Sequence, residues 1–102
     1  MAMLHIVNKS PFEKRTLDSC LRLVGKNSAL LLIEDGVYAV AKGNVLEAKI
    51  KQAVATNIKV YALWPDLEAR GMQDSVIDGV KLVDYSGFVD LVAEHNSVQS
   101  WL

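Results

Sequence analysis

Hydrophobic positions come in short runs separated by turn formers, and the spacing within each run distinguishes strand from helix. Met3-Leu4-His5-Ile6-Val7 is a strand-length apolar run that stops at Asn8-Lys9-Ser10-Pro11, a cluster of turn formers. Leu17, Cys20, Leu21 and Val24 follow at i, i+3, i+4 and i+7, one face of a helix. Thr16 is its expected N-cap, and Gly25-Lys26-Asn27-Ser28 ends it. Ala29-Leu30-Leu31-Leu32-Ile33 is continuously apolar, the pattern of a strand covered on both faces. Glu34-Asp35-Gly36-Val37-Tyr38 reads as a loop at the carboxyl end of that strand, although Asp-Gly between apolar runs is also a hairpin signal.

Asn44 followed three residues later by Glu47 is a capping-box arrangement, and Leu46, Ile50 and Ala53 share one face of the helix it would start. Ile58-Lys59-Val60-Tyr61-Ala62-Leu63 is a third strand leading into Trp64-Pro65-Asp66. A short helix through Leu67-Glu68-Ala69-Arg70 stops at Gly71, with proline near its start and glycine past its end. Lys81-Leu82-Val83 is a short fourth strand, and Ser86 is the expected cap of a last helix whose apolar face is Phe88, Leu91 and Val92. Strands alternating with helices predict an α/β fold, a parallel sheet covered on both sides through right-handed crossovers. There is no internal repeat, low-complexity tract or linker.

A chain of 102 residues fits one domain over 1–102. Its 51% apolar content exceeds what so small a domain buries alone, which predicts a partner. No apolar stretch reaches the ~20 residues of a membrane span, and the start lacks the basic and long apolar regions of a signal peptide, so a cytoplasmic protein is expected. One cysteine excludes an internal disulfide, and Cys20 with the distant His5 and His95 shows no metal-site spacing; no metal or cofactor is expected. Eleven basic and twelve acidic residues, without a basic cluster beyond Lys49/Lys51 and Lys14-Arg15, argue against direct nucleic-acid binding.

Candidate chemistry is sparse. Gly36 and Gly43 are isolated, so no phosphate loop exists. Ser10, His95 and Asp35 are the residue types of a hydrolase triad, but no GxSxG elbow accompanies them, and His5 and His95 fit structural roles better. Glu34-Asp35 lies where ligands bind in open α/β sheets, beyond the carboxyl edge of the strands, yet adjacent acids in a turn are commonly solvated turn formers. Trp64, Trp101 and Leu102 are interface candidates, with Trp101 equally suited to folding back onto its own core. Cys20 is the one sulfur nucleophile, and helical spacing places it on or beside the apolar stripe, which favours a core role.

Five segments in order resemble the DsrH/TusB family of sulfur-relay subunits over nearly the whole chain. They are Leu4 to Phe12, Leu31 to Ala39, Val60 to Leu63 with Asp66 to Gly71, Asp84-Tyr85 with Phe88-Val89, and Gln99-Ser100-Trp101. The resemblance implies a DsrE/DsrF/DsrH-like three-layer α/β/α fold with a mostly parallel five-stranded sheet. It also implies a cytoplasmic heterohexamer with DsrE/TusD-like and DsrF/TusC-like subunits that passes persulfide sulfur to a DsrC/TusE-like acceptor. The destination is either tRNA wobble-uridine 2-thiolation or sulfur oxidation; Cys20 and the Val98-to-Leu102 ending tilt toward the DsrH side. The resemblance also implies that the principal sulfur-carrying cysteine belongs to the DsrE/TusD-like subunit. Cys20 is thus a persulfide carrier or a core residue of a purely structural subunit, and a small-ligand-binding regulatory domain is the unrelated alternative.

Overall fold

The computed structural model describes residues 3–10, 17, 20–21, 28–95 and 97–101. Five strands form one sheet: β1 (Met3–Val7), β2 (Ala29–Leu32), β3 (Lys59–Leu63), β4 (Lys81–Val83) and β5 (Ser97–Trp101), in the order β4-β3-β2-β1-β5. Every pairing is parallel, which sharpens the expected mostly parallel sheet. β2 lies between β1 and β3, and all four of its side chains are buried, as its unbroken apolar run requires. Strands after β1 step in one direction to β4, and β5 then returns to the far side of β1.

The two faces of the sheet carry separate cores. Val7, Leu30, Leu32, Val60 and Ala62 point to the larger one, where Leu17, Cys20, Ile50 and Leu67 cover them. Leu4, Ala29 and Leu31 point to the smaller one, covered by Leu91 with Phe88 beside it. Leu17, Cys20 and Leu21 have helical backbone, as their spacing predicts; Thr16, Val24 and Gly25-Lys26-Asn27 lie outside the described residues.

Helix α1 (Glu47–Ala55) begins later than its capping signal. Asn44 Oδ1 accepts the Leu46 N–H at 2.6 Å, while Glu47 Oε1 reaches back to the N–H of Gly43 rather than Asn44, also at 2.6 Å. The reciprocal logic of the box survives with its return bond shifted by one residue. Helix α2 (Trp64–Ala69) starts directly at the end of β3, three residues before the expected Leu67, because Pro65 suits the first turn of a helix. Helix α3 (Tyr85–Glu94) is capped by Asp84, whose Oδ1 accepts the Gly87 N–H at 2.8 Å, so Ser86 falls inside the first turn instead of capping it. Of its expected apolar face, Leu91 is buried and Phe88 half-buried, but Val92 is exposed.

Two segments depart from expectation more strongly. Glu34–Val40 is a 3-10 helix, not an open loop or hairpin, and it buries Val37, Ala39 and Val40 in the larger core. Residues 97–101, read from sequence only as an aromatic chain end, pair with β1 as β5. The 3-10 helix comes so close to β1 that a Cβ at Gly36 would collide with the Val7 carbonyl oxygen and carbon. Gly36→Ala is therefore expected to destabilise the fold by about 2–3 kcal/mol, the cost of an overpacked site that backbone cannot vacate, read as a lower urea midpoint at unchanged slope.

Candidate functional site

In open α/β sheets, ligand crevices form where neighbouring strands send their following helices to opposite faces. Here those strands are β3 and β4. β3 leads into α2, whose Leu67 lies in the larger core, and β4 leads into α3, whose Leu91 lies in the smaller one. An open cleft of about 420 Å³ sits at this point, lined by Trp64, Leu82, Val83 and Asp84. Its chemistry is an indole, two aliphatic side chains and a carboxylate already engaged in capping α3. Trp64 is half-buried, packing against the larger core while bordering the cleft.

The neighbouring strand ends hold a polar network. Arg70, the C-cap of α2 one turn after Asp66, donates from Nε (3.1 Å) and Nη2 (2.8 Å) to Asp35 Oδ1, and from Nη1 (3.0 Å) to the carbonyl of Asp66. Its guanidinium carbon lies 5.8 Å from the Tyr38 ring centroid, within cation–π range. The Asp35 carboxylate raises the Arg70 pKa above its ordinary value. Glu34 has a left-handed φ of 49°, and its N–H donates to Asp66 Oδ2 at 2.6 Å. The network thus joins the 3-10 helix to α2 at the strand edge where Glu34-Asp35 was weighed as a ligand-facing pair against solvated turn formers. Arg70, Asp66 and Tyr38 were missed as a group by sequence reading; only the i, i+4 spacing of Asp66 and Arg70 signalled part of it.

Cys20 lies elsewhere. It has 0% exposure among the aliphatic side chains of the larger core, and burial pushes its thiol up to about 12. Burial thus disfavours the thiolate there, whereas sulfur transfer requires that anion.

The triad candidates do not meet. Asp35 sits beyond the carboxyl end of β2, while His95 follows α3 on the way to the amino end of β5, at the opposite end of the sheet. His95 is bound to its own helix, with Nδ1 donating to the Leu91 carbonyl at 2.6 Å. Ser10 is buried after β1. His5 is buried and takes a hydrogen bond on Nδ1 from Trp101 Nε1 at 3.1 Å, the rings 6.2 Å apart. Trp101 is half-buried and packs on the larger core, so it serves its own fold; Leu102 lies outside the described residues. No group of three His, Cys, Asp or Glu side chains suited to a metal occurs among the described residues. Nor is any described helix long and apolar enough to cross a membrane.

A family described as DsrH like protein matches residues 9–98. The chain belongs to the DsrH/TusB family. Protein TusB of Pectobacterium parmentieri is 39% identical over 97% of this chain and 100% of its own. Protein TusB of Escherichia coli K12 is 38% identical with the same coverage. Among solved structures, the E. coli ychN protein superposes with a TM-score of 0.88 at 19% identity, covering 98% of each chain. MTH1491 of Methanobacterium thermoautotrophicum gives 0.76 at 18% identity, covering 97% of this chain and 96% of its own. These structural likenesses establish the shared α/β/α fold.

Two outcomes follow from the buried groups. Cys20 should resist iodoacetamide at pH 8 in the native state and react at the rate of an unfolded thiol once urea passes the transition midpoint, as followed by mass spectrometry. Burial lowers the His5 pKa below its usual 6.5, so the unfolded chain takes up a proton that the native state refuses. Stability is full above pH 6.5 and falls as pH drops below it, by at most about 1.4 kcal/mol per pH unit, until the native pKa is reached. His5→Gln, which retains an acceptor for Trp101, should flatten the urea midpoint between pH 7 and 5.

Proposed function

We propose that this DsrH/TusB-family chain is a one-domain, cytoplasmic, architectural subunit of a sulfur-relay complex. Its partners are DsrE/TusD-like and DsrF/TusC-like subunits in a heterohexamer, and the assembly passes persulfide sulfur to a DsrC/TusE-like acceptor. The sulfur travels on a partner's cysteine. The observation that carries this reading is the mismatch between chemistry and place. The crevice where the topology favours a ligand is lined by Trp64, Leu82, Val83 and Asp84 without a thiol, while Cys20 is sealed inside the larger core with its thiolate suppressed. Family membership and full-length similarity to TusB proteins support the relay itself. The TusB name of these relatives favours wobble-uridine thiolation over sulfur oxidation as the destination, against the tilt given by Cys20 and the chain ending.

Cys20→Ser in the reconstituted hexamer separates carrier from scaffold. Serine nearly preserves volume and removes the persulfide-forming sulfur, so assembly should survive with a stability cost of about 1–3 kcal/mol for a buried hydroxyl without a partner. Transfer of ³⁵S to the acceptor should stay within about twofold of wild type. A loss of about tenfold in an intact complex, equivalent to ~1.4 kcal/mol of transition-state stabilisation, would make Cys20 a carrier and overturn the architectural reading.

A further inference from the structure

The two edges of the sheet are built differently. β4 is three residues long and opens with the exposed Lys81, a charge that discourages pairing with another strand. β5 is five residues long, Ser97-Val98-Gln99-Ser100-Trp101, with no charge and no proline, and four of its five residues are exposed. It pairs with β1 in continuous register from Met3↔Ser97 to Val7↔Trp101, so no bulge interrupts it. An edge strand directs half of its backbone N–H and C=O groups away from its neighbour; the Ser100 carbonyl accepts from Gln99 Nε2 at 3.2 Å, and β5 otherwise carries no charge, proline or bulge against a second strand.

The smaller-core face is also unfinished on this side. Val98 is aligned with Leu4, which belongs to that face, yet it is 43% exposed, and no described residue of β5 joins the cluster under α3. A Cβ at Gly87 would touch Val83 of β4, and Glu94, seven residues on, shares the Gly87 flank of α3, which therefore faces the β4 side of the sheet. At 100° per residue, Tyr85, Val89 and Val92 then lie on the other flank, toward β1 and β5, and all three are exposed, Val89 at 66%. An uncharged strand edge and an apolar helix flank thus lie on the same side of the molecule, while the acids Asp90 and Glu94 lie elsewhere on α3.

We propose that β5 is the seam of a symmetric dimer, in which the Ser97–Trp101 edges of two copies of this chain pair antiparallel around a twofold axis at Gln99. That register pairs the whole strand with itself: Gln99 opposes Gln99, Val98 opposes Ser100, and Ser97 opposes Trp101. Nothing in the seam sets like charges against each other, and a strand is what unpaired strand groups accept. The contact uses the same patch on both copies, so it closes at two instead of growing. The sheet becomes ten-stranded, with the Tyr85/Val89/Val92 flanks and the two Val98 side chains bordering one apolar surface across the seam. In the relay reading this supplies the twofold of an assembly holding two copies of each subunit, but the pairing stands on the isolated chain and is tested without partners.

The isolated chain is examined by size-exclusion chromatography with light scattering at micromolar concentration. Wild type should run at twice the chain mass, and Val98→Lys, which puts a charge on the exposed seam, should halve that mass while keeping Trp fluorescence and melting behaviour. Should Val98→Lys fail to fold, Gln99→Cys decides: under mild oxidation it should form a disulfide-linked dimer at least about tenfold faster than Lys81→Cys on the other edge, the advantage of a high effective concentration. A monomeric wild type, a Val98→Lys dimer, open-ended oligomers, or equal cross-linking at the two edges would each overturn the proposal. If the wild type is monomeric while its β5 amides become protected from exchange only in the relay hexamer, the seam belongs to a related subunit; the relay reading survives and the self-pairing does not.

Discussion

Burial of β2 on both faces is the constraint from which the rest of the structure follows. Its four side chains alternate between the two cores, Leu30 and Leu32 on one side and Ala29 and Leu31 on the other. A strand so placed needs a neighbour on each edge for its backbone groups and a covering layer on each face for its side chains. β1 and β3 supply the first requirement, and the helical segments supply the second. Parallel pairing obliges the chain to cross from one end of the sheet to the other between strands, so helices arise as connections as well as cover. The three crossovers from β1 to β4 contribute side chains to the larger core, and the last, through α3, covers the smaller one. That single change of face creates the cleft between Trp64 and Asp84.

The asymmetry between the faces shapes stability as well. The larger core gathers Leu17, Cys20, Val37, Val40, Ile50 and Leu67 over the sheet, while the smaller rests on α3, where Leu91 is the one buried residue. Truncating a buried leucine costs about 2–5 kcal/mol, a large share of a small domain's total. His5 and Trp101 add a polar tie on the larger-core side, fastening β5 to β1 through side chains as well as backbone. The Nδ1 acceptor role also fixes the neutral His5 proton on Nε2.

Legibility from sequence followed the strength of the local signal. β1, β2, β3 and β4 were readable because strongly apolar or β-branched runs end at turn formers, and Cys20 was placed correctly on an apolar face by spacing alone. The 3-10 helix was not readable: Glu34-Asp35-Gly36 carries turn chemistry, and what makes it helical is tertiary, the burial of Val37, Ala39 and Val40 together with Asp66 receiving the Glu34 N–H. β5 was missed because Ser97, Gln99 and Ser100 have weak strand preference, and pairing with β1 overrides it. Val92 was assigned inward because a helical wheel gives the width of an apolar stripe, not which part of it meets the sheet. The Arg70–Asp35 contact spans 35 residues and has no local signature beyond Asp66–Arg70.

The proposed architectural role sits within a fold suited to ligands. The strand ends of an open α/β sheet expose unpaired backbone groups and helix starts, and a catalytic member of such a fold leaves that edge accessible. In this chain the Arg70 guanidinium donates to Asp35 and the Asp66 carbonyl through Nε, Nη1 and Nη2, and the Glu34 N–H is taken by Asp66. An exposed ion pair of this kind contributes only about 0–1 kcal/mol, so its larger consequence is geometric: it holds α2 against the 3-10 helix and fixes the wall that carries Trp64. A rigid rim around a thiol-free crevice fits the proposed architectural role, in a chain whose one cysteine is enclosed in the larger core.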